Sequence, residues 1–273
     1  MSLYQKEIRD RIYHIGDGRG NFCTLIVGER GAILFDTMLG FDDLKGYAAE
    51  LTQFEPMVIN SHCHFDHAGG NHQFDRVYMS GGEFPLLELA HSRIPTLTQT
   101  LGADLSAMEC CYTDRDRISA IEPGTVIDLG GRTVKVIALP GHTPGSIGLL
   151  CQEERLLLAG DALSPQYCIF FQESLPLEVS RRTIHGLWEL PFDHFLSSHF
   201  DLVFEKEIIR KFEACFDLVG KKQGMDYVYQ ILPDQRGRFF VLSVNDPDIN
   251  QLIGIAVKAS DVPALTKSRK TVQ

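Results

Sequence analysis

Residues 61–70 read S-H-C-H-F-D-H-A-G-G, placing three histidines and an aspartate within six positions: His62, His64, Asp66 and His67. Imidazole nitrogens and carboxylate oxygens are donors that suit zinc, and iron or manganese is also tolerated. A random chain of this composition would contain H-x-H-x-D-H only about once in a thousand, so chance is a poor explanation. The cluster follows the apolar run Met57-Val58-Ile59, which reads as a short buried strand. Three later places repeat the arrangement. In VIALPGHTPGS, Pro140-Gly141 breaks a strand and presents His142; in LLLAGDALS, Gly160 precedes Asp161; in FLSSHFD, a strand runs into His199. Side chains at strand ends are held by a rigid sheet yet open to solvent, where a preorganised site belongs. Cys63 sits between two candidate ligands, but strand alternation turns it away from them. His14, His72, His91, His185 and His194 lack the pattern and read as structural or surface residues.

The elements that must position these residues alternate in the first half. FCTLIVG (22–28) and AILFD (32–36) are strand-like runs joined by a turn at Glu29-Arg30-Gly31. Residues 41–54 suit an amphipathic helix with Leu44, Tyr47, Ala48 and Leu51 on one face, and strands follow at 57–59 and 77–80. Segment 83–118 has mixed helical character without a clean period and is expected to form a flap over the site. Strands are expected over 125–129, 133–139, 146–151, 155–159 and 192–198, with a helix over 178–190. Phe204, Ile208, Ile209, Phe212, Phe216 and Val219 form a helical stripe that Gly220 should stop. Beyond 225 lie three strand candidates, YVYQIL, RFFVLSV and LIGIAVK, and KSRKTVQ reads as a frayed tail. The expected organisation is a catalytic domain over 1–224 with a β-rich extension over 225–273 packed on it.

This ordered set of motifs, from Asp36 to His199, resembles the metallo-β-lactamase superfamily, which includes glyoxalase II, lactonases, RNA-processing nucleases and flavodiiron proteins. The resemblance implies an α/β (α+β) fold, a four-layer αββα sandwich with two divalent metal ions, zinc favoured, at one edge. It implies that His62, His64 and His142 hold one metal and that Asp66, His67 and His199 hold the other. Asp161 would bridge them, and Asp36 would support the metal loop without touching a metal. Metals about 3.5–4 Å apart share a water and lower its pKa from about 15.7 toward ~7. The implied activity is hydrolysis of an acyl ester, thioester or lactone by that bridging hydroxide, with Asp66 orienting it. Tyr167 is a candidate oxyanion donor, as a tyrosine is in lactonase-like relatives; packing beside Phe170 is the competing reading. Segment 83–118 and Tyr167, Phe170 and Phe171 would form the specificity wall.

A bridging carboxylate resembles the glyoxalase II and lactonase branches more than the true β-lactamases. The strand-like end, with only Lys221-Lys222 standing out, argues against glutathione specificity. The alternatives are a β-lactam or phosphodiester hydrolase and a diiron redox protein. A net charge of −10 argues against a nucleic-acid partner. The charged start and the lack of a long apolar run lead us to expect a cytoplasmic protein acting on a small molecule, with no membrane partner. A homodimer stays open. The seven scattered cysteines form no C-x-x-C pair and read mostly as small buried hydrophobes.

Overall fold

The computed structural model describes residues 3–222, 224–242 and 253–263. Its first sheet runs in chain order: β1 (Tyr4–Arg9), β2 (Ile12–Gly16), β3 (Phe22–Val27), β4 (Ala32–Phe35), β5 (Met57–Ile59), β6 (Val77–Met79) and β7 (Ile118–Ala120). The second begins with β8 (Val126–Asp128), β9 (Thr133–Ala138), β10 (Ile147–Cys151) and β11 (Leu156–Leu158). Its neighbours after β11 are β13 (His194–Leu196) and β14 (Val203–Glu205), because β12 (Gln166–Ile169) leaves for a third sheet. That third sheet has the order β12-β17-β16-β15, with β15 (Met225–Val228), β16 (Arg236–Val241) and β17 (Gly254–Val257).

Strand alternation builds the layers. On β3, Ile26 faces the second sheet with Ile33, Phe35, Leu149 and Leu158, while Cys23, Leu25 and Val27 face outward. The outward face is covered by α1 (Leu44–Leu51), α3 (Leu87–Ser92) and α4 (Ile94–Leu101), through Leu44, Leu87 and Leu97. The second sheet's outer face is covered by α6 (Leu177–Gly186) and α7 (Ile209–Phe216), through Ile184, Phe212 and Phe216. Two one-turn helices, α2 (Phe65–Ala68) and α5 (Cys110–Thr113), join the first of these layers through Phe65, Ala68, Cys111 and Tyr112. Both faces of β3 are buried, hence its apolar sequence, interrupted only by Thr24, which pairs with His14. The edge strand β1 instead carries YQKEIR, whose charges discourage further pairing.

The αββα sandwich is thus the observed architecture. Two elements depart from expectation: of YVYQIL only Tyr227 and Val228 are in a strand, β15. The stripe from Phe204 is not continuous helix: Phe204 lies in β14 paired with Phe195, and the helix begins only at Ile209. Phe204 is apolar in either conformation because it faces the same core, so periodicity alone could not separate the two. Segment 83–118 is largely helical, as α3, α4 and α5 with short tight turns. β17 pairs in parallel with β12, so the C-terminal strands attach directly beside the segment that follows Asp161. The KSRKTVQ tail lies outside the described residues. All seven cysteines are free thiols.

Candidate metal centre

The metal loop spans a strand end and a helix start. His62 and His64 lie in the bent segment between β5 and α2, and Asp66 and His67 follow in the turn of α2. Cys63 points the other way: it is buried, and its backbone N–H donates to Glu83 Oε2 at 2.9 Å. Glu83 Oε1 also accepts from Thr143 Oγ1 at 2.6 Å and from the Gly145 N–H at 2.8 Å. This fully buried carboxylate therefore fastens the His62–His64 loop to the loop that carries His142.

All seven candidate ligands converge. His62, His64 and His142 form one group; His62, His67 and Asp161 a second; Asp66, His67 and His199 a third, with the donor atoms of each group within 4.8 Å of one another. Asp161 lies between. Its Oδ1 is 3.4 Å from His67 Nε2 and 3.1 Å from His199 Nε2, while Oδ2 is 3.5 Å from His142 Nε2. Asp66 reaches His67 Nε2 at 3.8 Å and His199 Nε2 at 3.6 Å.

Behind each of four imidazoles stands an acceptor that fixes its tautomer. His67 Nδ1–H donates to Asp36 Oδ2 at 2.9 Å, His142 Nδ1–H to the Cys168 carbonyl at 2.5 Å, and His199 Nδ1–H to the Gly20 carbonyl at 3.2 Å. His64 Nε2–H donates to Glu173 Oε1 at 2.8 Å. Asp36 is itself held by the Ser61 N–H at 2.7 Å and by the Ser61 and Ser198 hydroxyls, each at 2.9 Å. It takes a left-handed backbone conformation, φ 68°, which is uncommon outside glycine and places backbone strain beneath the metal loop.

The donor set fits cations. His62 Nε2, His67 Nε2 and Asp161 Oδ1 are buried with no hydrogen-bond partner among the described residues. With their protons committed elsewhere, His142 Nε2 and His64 Nδ1 face each other at 3.0 Å as two lone pairs. A cation satisfies that arrangement; a protein hydrogen bond does not. Burial pushes the His62 imidazole down, and His142 down to about 4, so these two stand neutral. Around Asp161 burial works the same way but is outweighed. The Asp161 charge, with Asp66, raises His67 well above its ordinary value and His199 to about 9. For Asp161 itself, burial works upward, but His199 and His67 hold it well below the usual carboxylate range.

The centre opens into a cavity of about 260 Å³. Phe65, Phe171, Phe200, Tyr227, Tyr229 and Leu232 supply its walls. Phe171 stands edge-on to His64 and His142, with ring centroids 5.2 and 5.5 Å away. Phe170 lies behind it, stacked at 4.3 Å. Tyr167 is not brought to the cavity. It is fully buried, edge-on to Phe212 and Phe216, with its hydroxyl near Ser180 and Gly141. Its neighbours on β12, Gln166 and Cys168, line the cavity instead. Segment 83–118 contributes one lining side chain, Arg93. Sequence reasoning missed Glu83, Arg93, Glu173, Tyr227 and Tyr229; Glu173 lies 109 residues from the histidine it supports, and no local signal marks it. The five remaining histidines stay out of the metal groupings; His14, for example, is buried between Thr24 and the Phe200 carbonyl.

The family model for the Metallo-beta-lactamase superfamily matches residues 16–199. The chain belongs to that superfamily. It is 32% identical to Acyl-coenzyme A thioesterase MBLAC2 of Homo sapiens over 181 residues, covering 57% of this chain and 62% of that protein. It is 29% identical to a Hydroxyacylglutathione hydrolase of Maricaulis maris, covering 53% and 45%. The chain thus spans about three fifths or less of the length of these relatives. Among solved structures, a metallo-beta-lactamase family protein of Thermus thermophilus superposes with a TM-score of 0.55 at 20% identity, covering 81% of each chain. A metallo-beta-lactamase superfamily protein of Sulfolobus tokodaii gives 0.56 at 16% identity, covering 83% and 90%. These two likenesses establish the fold.

Proposed function

We propose that this protein is a dinuclear-metal hydrolase that cleaves an acyl ester, thioester or lactone bond. The observation that carries the reading is the split of Asp161, one oxygen toward His67 and His199 and the other toward His142, which suits a carboxylate shared by two cations. His62, His64 and His142 would hold one cation, and Asp66, His67 and His199 the other. Two divalent cations held there, zinc favoured, would supply a water acidic enough to attack near neutral pH and would polarise the substrate carbonyl.

The chain's own residues do the rest. Asp66 lines the cavity and accepts a hydrogen bond from the attacking water, which orients it. Tyr229 takes the donor role first considered for Tyr167. It lines the cavity, its ring edge-on to Phe171 at 5.4 Å. Burial, then the charge of Asp66, pushes its phenol well above the ordinary value, so it remains a hydrogen-bond donor toward a developing oxyanion.

The lining favours an uncharged, apolar or aromatic acyl group of modest size. Its one guanidinium, Arg93, is already engaged by Glu173, so a phosphodiester finds no free cation among the described lining residues. The thioesterase named among the relatives supports C–S cleavage in particular. A hydrolysis screen of metal-loaded protein should show thioester, ester or lactone turnover exceeding phosphodiester and lactam turnover. A phosphodiester preference overturns the assignment.

A further inference from the structure

We propose that Glu173, clamped by Arg93, is the positioning residue for the first metal, acting through the tautomer of His64; this rests on the dinuclear reading above. A neutral imidazole carries its proton on either nitrogen at similar cost, and only the unprotonated nitrogen binds metal. His64 presents Nδ1 to His62 and His142, so its proton has to sit on Nε2. Glu173 Oε1 accepts that proton at 2.8 Å.

The carboxylate is not free to turn away. Arg93 grips both of its oxygens, Nη1 to Oε1 at 2.5 Å and Nη2 to Oε2 at 2.8 Å. Both side chains are nearly buried, 1% exposed for Glu173 and 12% for Arg93. A buried ion pair gains little net stability, because desolvation offsets its attraction. Its position against a metal ligand gives it a different use: a fixed hydrogen-bond acceptor. The loop that carries Glu173 is anchored on the same side, since Ser174 Oγ donates to the His142 carbonyl at 2.8 Å. Arg93 joins α3 to α4, so the helical segment beside the cavity is tied to the geometry of the first metal. His142 and His199, by contrast, rest on backbone carbonyls, and His67 on Asp36 inside the sandwich.

Cobalt(II) titration of metal-free protein against a chelating dye tests the proposal without substrate. Wild type should take up two equivalents. Glu173→Ala should weaken one of them about 10–100-fold and leave the other unchanged, the usual cost of losing a support behind a ligand. Glu173→Gln, whose amide oxygen still accepts from Nε2–H, should lose less than about tenfold. Equal affinities for wild type and Glu173→Ala overturn the proposal alone. Wild type that binds fewer than two equivalents overturns the dinuclear reading and the proposal with it. Should Glu173→Ala fail to fold, side-chain ¹⁵N spectra of metal-free wild type decide: His64 protonated on Nε2 supports the proposal, and on Nδ1 overturns it.

Discussion

The two halves of the candidate metal centre are built from the same loop but from opposite electrostatics. The half at His62, His64 and His142 is all imidazole, and burial leaves His62 and His142 neutral. The half at Asp66, His67 and His199 faces Asp161 and, through His67, Asp36; those carboxylates draw protons onto His67 and His199. The first half waits with lone pairs ready. The second would bind a cation only by expelling protons, because a ligating imidazole has to be unprotonated. Six residues of sequence supply candidate ligands to both, so the difference comes from what each imidazole is packed against.

The largest expected effect comes from joining the halves. Asp161→Ala should weaken both metals together and lower kcat/KM by well over the ~10–100-fold typical of a supporting residue, whereas His199→Ala should weaken mainly the second. Dye-competition titration with activity checks this; two tightly bound metals in Asp161→Ala would break the bridging reading. Next is the wall. Tyr229→Phe should lower kcat by roughly 10²–10³, the cost of a lost oxyanion donor, while Tyr167→Phe should leave kcat unchanged and alter only stability. Steady-state kinetics on the best substrate separates them.

The pH response sharpens the comparison directly. Burial pushes His142 down to about 4, so its protonation should add no pH dependence to affinity at the first half from about pH 6 to 9. His199 holds its proton to about 9, so affinity at the second half should rise through that range, by up to about tenfold per pH unit for each proton released. Cobalt titrations at three pH values measure both, and parallel curves would contradict the contrast.

The smallest effect concerns a buried histidine with no metal role. Burial lowers His14 to about 4 from 6.5, so its neutral form favours the fold above pH 6.5, and that stability is lost as pH falls toward 4. At full extent the loss is on the order of 3 kcal/mol. His14→Gln should flatten the acid limb of a pH series of urea melts. An unchanged slope would show that His14 is not its source.

What the sequence determined was local. His62, His64, Asp66 and His67 lie on one short path, and His142, Asp161 and His199 each follow an apolar strand that ends in a turn; strand periodicity and turn chemistry suffice to mark them. Most strands were legible for the same reason, since alternation on a two-sided sheet is written residue by residue; the layer order came from the resemblance of the ordered motifs to the superfamily. Tertiary structure decided what depends on register and distance. Tyr167 looked able to reach the cavity, but β12 sends Gln166 and Cys168 there and turns Tyr167 into the core; a shift of one position reverses every side chain of a strand. Tyr227 and Tyr229 reach the cavity only because β17 pairs with β12 and carries β16 and β15 alongside. Arg93 and Glu173 lie 80 residues apart, and only the packing of the helical segment against the metal loop brings them to His64. Ligand identity is a matter of residue type at a strand end, whereas ligand support and the substrate wall come from long-range contacts that no local pattern encodes.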